Sequence, residues 1–188
     1  NRIFSRMKNW CAYIVGPILI CAKENNIQLS TRDNFVIYIT SSIPEGKGVS
    51  SSAAVEIASS LAFLSLFGHS PSAKKVRKYA PLYSFFAENA IAGVPCGIMD
   101  QLACFHGKVK HLTPFTCSLP SVMGKQIGYS KKYLRLWGID STVRHFNGGS
   151  NYARVRAAAF MGRHIIMKES LLSRTFETLC SMNRVYNS

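Results

Sequence analysis

The feature that most constrains the fold is the stretch SSIPEGKGVSSSAAVEIASS, residues 41–60, where a turn-rich loop runs straight into an apolar helical pattern. Before it, residues 35–43 alternate β-branched and aromatic side chains, which predicts a strand with at least one buried face. Pro44 ends this strand, and Gly46 and Gly48 allow backbone angles that other residues avoid. The order of strand, loop and helix is typical of a turn that can fold around an anion.

A helix is predicted over residues 51–67, with Gly68 just past its end. Ser50, Ser51 and Ser52 are favourable N-cap residues, so the unpaired N–H groups and the positive dipole end point into the loop. An ordinary strand–turn–helix with a serine cap fits the same pattern, and the G-x-x-x-x-G-K-[ST] spacing of a Walker loop is missing. The apolar positions with helical spacing are Ala54, Ile57, Ala58, Leu61 and Leu64.

The composition of the 188-residue chain, 47% apolar and 17% charged, predicts a folded domain with a substantial core. The longest apolar run, residues 10–22, is too short for a membrane span, so we expect no membrane partner. The six cysteines show no C-x-x-C spacing, which predicts free thiols in a reducing, cytoplasmic compartment.

Basic residues outnumber acidic ones by 23 to 9, a balance that raises the possibility of nucleic-acid binding. They are scattered, however, with clusters only at residues 74–78 and 131–135, and no nucleic-acid-binding motif accompanies them. A cluster such as KKVRK is usually a solvated helix face. We therefore predict no nucleic-acid partner.

Further elements follow from the same signals. Pro81 is expected to kink or split a helical region that opens at residues 70–71 and stops near Gly93. Trp137 is predicted to be buried in a strand. The remaining helices are predicted at residues 8–24, at 100–105 and from a turn at 147–150 through 168, and the remaining strands at 108–115 and 133–140.

Three ordered motifs carry a family resemblance: PEGKGVSSSAAVEIA, AENAIAGVPCGIMDQLA and GIDSTVRHFNGGSNYARVRAAAFMGR. Together with the helix WCAYIVGPILI they resemble the galactokinase branch of the GHMP small-molecule kinases, over roughly residues 8–168. The resemblance implies an α+β fold. Residues 1–146 would be part of the N-terminal, ATP-binding domain, which is like domain 2 of ribosomal protein S5, and residues 147–188 would begin the C-terminal domain. We place no resemblance from residue 171 onward.

The implied activity is that of an ATP-dependent sugar-1-kinase that uses Mg²⁺ and an L-arabinose- or D-galactose-like monosaccharide. Asp100 would accept the proton of the sugar hydroxyl, and Glu88 with Ser51 or Ser52 would hold magnesium. Tyr152 would lie against the sugar. The residues expected to cradle the ATP phosphates are Glu45, Gly46, Lys47, Gly48, Val49, Ser50, Ser51 and Ser52.

Local reasoning leaves alternatives open for these side chains. Glu88 also fits a helix-surface carboxylate, and Asp100 an N-cap for the helix that follows it. Tyr152 fits a packed tyrosine at a helix start, and Lys47 a solvated side chain. Asp140 and Arg144 are expected to form a local pair or turn brace, and His145 resembles a family histidine but fits a hydrogen-bonded core or turn residue equally well.

No segment matches the first motif of the family, with its sugar-contacting acids and arginine, or the third, glycine-rich motif. We therefore expect a truncated copy that shows no sugar kinase activity when it is expressed alone. The alternative is a catalytically inactive relative that binds nucleotide or a partner protein.

Overall fold

The computed structural model describes residues 10–30, 34–117, 121–122, 124–130, 132, 134–142 and 150–168. The chain divides into two compact units, Asn1–Phe146 and Asn147–Ser188. The structure is rich in helix and contains little strand. The assignment of these units to the two domains of a family stays a prediction.

Four α-helices and four short strands make up the described part of the first unit. The two strand pairs are antiparallel, β1 with β4 and β2 with β3. The elements are α1 (Ala12–Glu24), α2 (Ser51–Leu66), α3 (Lys74–Ala87), a π-helical turn (Glu88–Ala92), α4 (Met99–His106), β1 (His111–Leu112), β2 (Phe115–Thr116), β3 (Ser121–Val122) and β4 (Ile127–Gly128).

The core lies where α1, α2 and α3 pack together. Close approach of α1 to α3 depends on Gly16, because a Cβ atom there would lie 3.3 Å from the Cβ of Ala87. Burial of apolar surface between the three helices is the main force that holds this unit together. The main buried cluster consists of Cys21, Ala22, Phe63, Leu64, Val76, Ala80 and Tyr83.

The predicted helices are present, with one correction at Pro81. Helix α3 does not split there: it runs unbroken from Lys74 to Ala87 and contains Pro81 as a buried residue. Proline removes the amide that would bond the carbonyl of Arg77, but its ring is packed in the core, which offsets part of that loss. The helical region ends as predicted, since Gly93 follows the π-helical turn with φ 72°.

The strand predicted at residues 35–43 is wrong. This segment is not in a strand, and Val36 and Tyr38 are 98% and 89% exposed. Side-chain alternation favours a strand only where a neighbouring strand accepts its hydrogen bonds, and no described residue pairs with this segment.

The other two predicted strands also need correction. Residues 108–115 form only β1 and the first residue of β2, and residues 134–140 form no strand. Trp137, expected to be buried, is 82% exposed. Here again the alternating pattern finds no described partner strand.

The second unit contains one described helix, α5 (Ser150–Lys168), which ends where the sequence pattern ends it. Within this helix the guanidinium of Arg156 lies 5.6 Å from the ring centroid of Phe160. None of the helices in the described ranges is both long and apolar enough to cross a membrane. Arg144, His145 and the tail from residue 171 lie outside the described residues.

Candidate functional site

The loop before α2 has the backbone geometry that its glycines predict. Gly46 and Gly48 have φ angles of 65° and 69°, and Ser50 is also left-handed, with φ 61°. Ser50 is the N-cap, but its side chain makes no capping hydrogen bond within the described part of the chain. The serine-cap interpretation is therefore wrong in this detail, because the left-handed backbone of Ser50 departs from the usual N-cap conformation. Because the first N–H groups of an α-helix have no partner within the helix, those of α2 can serve an anion.

Lys47, a candidate phosphate contact, is engaged elsewhere. Its Nζ lies 2.5 Å from Oδ2 of Asp140. Oδ1 of Asp140 accepts a hydrogen bond from the backbone N–H of Thr142 at 2.8 Å, so Asp140 braces a turn, as expected. This pair links the loop to the segment that precedes residue 142.

Glu88 is buried, not on a helix surface. Glu88 is 2% exposed and lies on the π-helical turn that continues α3. The Nε2 atom of Gln101 donates to Oε2 of Glu88 at 2.7 Å, and the side chains of Ser52 and Cys96 lie close enough to act on the carboxyl group. Burial nevertheless raises the pKa of Glu88, and the charge of Asp100 raises it further. Of the two serines that the resemblance pairs with Glu88, Ser51 and Ser52, the structure brings Ser52 close to it.

A second buried carboxyl group, that of Glu56 on α2, lies beside Glu88. The Nε2 atom of Gln101 donates to Oε2 of Glu88 at 2.7 Å and to Oε2 of Glu56 at 3.2 Å. Burial raises the pKa of Glu56, and the negative charge of Glu88 adds to this shift. Among the described residues, Oε1 of Glu56 and Oε1 of Gln101 have no hydrogen-bond partner.

Helix α1 closes the site on a third side through Tyr13. Burial raises the pKa of Tyr13 to about 12, and the charges of Glu88 and Glu56 raise it as well. The phenol therefore stays protonated at neutral pH. It can act as a hydrogen-bond donor near the two carboxyl groups.

Asn89 holds the glycine- and proline-rich loop that connects Glu88 to Asp100. Its Nδ2 donates to the carbonyl of Phe85 at 2.9 Å and lies 3.1 Å from Sγ of Cys96, and its Oδ1 accepts from the N–H of Cys96 at 3.2 Å. These bonds fix the loop between the two acids, as the composition of GVPCGIM predicts.

Asp100 lies in the first turn of α4, half-buried. The N-cap of this helix is Ile98, so the interpretation of Asp100 as the capping residue is wrong. A carboxylate in the first turn is favoured by the helix dipole. Its charge acts on Glu88, which places the predicted base near the predicted metal ligand.

The remaining predicted residues are less enclosed. Glu45 and Val49 are exposed, and Ser51 is half-buried at the start of α2. Tyr152 is exposed on α5 in the second unit, so its role at a sugar stays a prediction.

The donor set suits magnesium. The Glu88 carboxylate and the Ser52 hydroxyl supply hard oxygen atoms, and magnesium needs few protein ligands because it keeps several waters. A cation here would also relieve the repulsion between Glu88 and its acidic neighbours. In the described part of the chain, no three His, Cys, Asp or Glu residues cluster as a metal site built from protein ligands alone would require.

The sequence reasoning missed Glu56 and Gln101. A signal for Glu56 exists, since it lies on the buried face of α2 with Ala53, Ile57 and Ser60, at helical spacing. A charged residue in such a stripe needs a buried partner. Gln101 directly follows Asp100, and nothing in the local pattern marks it.

Comparison with known proteins gives consistent matches. The model of the GHMP kinases N terminal domain matches residues 12–108, slightly more than half of the chain. An L-arabinokinase from Arabidopsis thaliana is 38% identical over 168 residues, 88% of this chain and 15% of that protein. Galactokinases from Thermosipho africanus and Canis lupus familiaris are 34% and 31% identical, covering 95% and 90% of this chain.

The chain spans 48% and 40% of the lengths of those two galactokinases. No solved structure matches it. The matched residues include the loop, α2, the buried Glu88 and Asp100, which are the parts that build the site. The chain therefore belongs to the GHMP kinase family.

Proposed function

We propose that this chain carries the phosphate-binding, cation-binding and proton-accepting part of an ATP-dependent sugar-1-kinase. The substrate is an L-arabinose- or D-galactose-like monosaccharide, in keeping with the names of its relatives. The observation that carries the proposal is the proximity of Ser52, at the start of a helix that follows a glycine-rich loop, to the buried carboxyl group of Glu88, which also lies near Asp100.

Each part of the site has a role in this proposal. The loop 45–52 and the N-terminal N–H groups of α2 bind the triphosphate. Glu88 and Ser52 hold Mg²⁺, which neutralises charge on the phosphate oxygens when it is bound. Asp100 accepts the proton of the anomeric hydroxyl.

The proposed reaction balances without a further reactant. The anomeric O–H bond breaks as its proton passes to Asp100, and the oxygen forms a bond to the γ-phosphorus of ATP. The bond from that phosphorus to the bridging oxygen breaks, and ADP leaves with the electron pair. The S5-like fold of residues 1–146, the C-terminal assignment of 147–188 and the sugar contact of Tyr152 belong to the same proposal.

The test uses a chimera in which this chain replaces the matching segment of the Thermosipho africanus galactokinase. ADP release is measured with galactose or L-arabinose. Asp100→Asn should lower kcat by about 10²–10⁴-fold while ATP affinity stays unchanged. Glu24→Gln, an exposed carboxylate at the end of α1, is the matched control and should leave kcat unaltered. A near-normal kcat in Asp100→Asn would show that Asp100 is not the base. ATP binding without ADP release would favour the binding-only alternative.

A further inference from the structure

Gln101 has an unusual position for a glutamine. It is wholly buried, and its Nε2 atom lies 2.7 Å from Oε2 of Glu88 and 3.2 Å from Oε2 of Glu56, with Sγ of Cys96 more distant at 3.9 Å. The Glu88 carboxylate is an acceptor, and Oε2 of Glu56 can accept even when its other oxygen carries a proton, so the amide nitrogen and not the amide oxygen faces them. The amide is therefore fixed in orientation by two bonds at once.

These three residues tie together the elements that carry the proposed chemistry. Glu56 is on α2, one turn after Ser52, and Glu88 is on the π-helical turn. Gln101 is on α4, next to Asp100. A shift of any one of these elements would break a bond of Gln101.

The cluster carries a cost that stability alone does not explain. Oε1 of Glu56 and Oε1 of Gln101 are buried oxygen atoms without a hydrogen-bond partner among the described residues. A buried polar group without a partner is unfavourable, and apolar side chains of similar volume would avoid this cost. The arrangement is better explained by the geometry that it imposes on Glu88.

We propose that Gln101 is a positioning residue, whose amide holds the Glu88 carboxylate in the orientation that binds the cation, with Glu56 as the second anchor of this amide. The inference rests on the proposed function, which assigns Glu88 to the cation. It adds two residues that do not themselves touch the cation or the phosphates.

The experiment measures Mn²⁺ binding to the 188-residue chain by electron paramagnetic resonance, with ATP present. Gln101→Met keeps the volume and removes the amide, and it should weaken Mn²⁺ binding about 10–100-fold, approaching the loss in Glu88→Gln. Glu56→Gln keeps an oxygen that can accept from Gln101, so it should bind within about twofold of the wild type, whereas Glu56→Met should bind more weakly.

Gln126→Met is the matched control. This glutamine is half-buried, and its Nε2 likewise donates twice, to the carbonyl of His106 at 2.6 Å and to Oγ1 of Thr113 at 2.9 Å. The Gln126→Met variant should be less stable than the wild type but should bind Mn²⁺ with the same affinity. If Gln101→Met does not fold, as judged by circular dichroism, Gln101→Asn replaces it, because its shorter amide cannot keep both bonds.

The outcomes separate the two proposals. If Glu88→Gln weakens Mn²⁺ binding but the Gln101 variants do not, or if Gln126→Met weakens it equally, the positioning role is overturned and the cation site stands. If Glu88→Gln binds Mn²⁺ as the wild type does, the cation assignment of Glu88 fails and the inference fails with it.

Discussion

The ammonium group of Lys47 lies 2.5 Å from the carboxylate of Asp140, a residue 93 positions further along the chain. This ion pair links the glycine-rich loop before α2 to a segment that lacks regular structure. Both side chains are partly exposed, 27% and 52%, so water screens the pair. The pair should therefore contribute little to the free energy of unfolding. Its main consequence is that Asp140 competes with an anionic ligand for the Lys47 ammonium.

Asp140→Asn should leave the free energy of unfolding within about 1 kcal/mol of the wild type. Because it frees the Lys47 ammonium for a phosphate, ATP affinity should rise two- to threefold at low salt, by a rough estimate, and the gain should shrink as salt increases. Isothermal titration calorimetry at two salt concentrations measures both effects. The double variant Asp140→Asn with Lys47→Met is the control, and a gain that persists in it would contradict this role for Lys47.

Gly48→Ala should lower ATP affinity about tenfold, since a left-handed backbone costs an alanine roughly 1–2 kcal/mol. A clash is not the cause, because none of the described atoms lies within 4 Å of the added Cβ. Gly68→Ala is matched to it, with φ +80° and equally open surroundings at the other end of α2. Both variants should lose similar stability, and only Gly48→Ala should lose affinity. If Gly48→Ala and Gly68→Ala bind ATP with equal affinity, the loop does not bind the phosphates.

Gly16→Val should lower the free energy of unfolding by about 1–3 kcal/mol, measured by urea denaturation. A Cβ at this position lies 3.3 Å from the Cβ of Ala87 and 3.4 Å from the Cβ of Ile91, so added methyl groups force α1 away from α3. Gly162→Val on α5 is the control, because no described atom lies within 4 Å of its added Cβ. Equal losses in both variants would mean that this helix contact is not tight.

The pH dependence of stability should report the buried carboxyl group of Glu56. Its folded pKa is raised by burial and by Glu88, so the folded state binds a proton that the unfolded state releases above about pH 4.3. The free energy of unfolding should therefore fall as pH rises from about 4.3 toward the raised pKa, by at most about 1.4 kcal/mol per pH unit.

Glu56→Gln lacks this proton, so its stability relative to the wild type should increase over the same pH range. Urea denaturation at pH 5, 6, 7 and 8 in the presence of a chelator measures the difference. A constant difference between the two proteins across this range would show that Glu56 is ionised in the folded state.

The sequence predicts the helices of this chain better than its strands, for a physical reason. The hydrogen bonds of α2 are internal, so local spacing and Gly68 are enough to place it at residues 51–66. The bonds of residues 35–43 depend on a neighbour, which the local pattern does not contain. Trp137 is exposed for the same reason, because the alternating pattern around it has no partner strand among the described residues.

The site was predictable in part. The loop glycines follow from the local sequence, whereas the pairing of Glu88 with Ser51 or Ser52 is what the family resemblance implies. The environment of Glu88 does not, because it depends on Gln101 and Glu56 from other helices. Helical spacing on α2 signals the burial of Glu56, but nothing in the local sequence indicates that Gln101 is buried or that the two side chains meet at Glu88.

Mg²⁺-dependent ATP binding by the 188-residue chain tests the central claim, that Ser52 and Glu88 hold the cation that accompanies the phosphates. Calorimetric titration with and without Mg²⁺ should show ATP binding that Mg²⁺ strengthens in the wild type and in Asp100→Asn. In Glu88→Gln, the strengthening by Mg²⁺ should be lost, about tenfold or more in affinity. An equal effect of Mg²⁺ on Glu88→Gln and on the wild type would contradict the account.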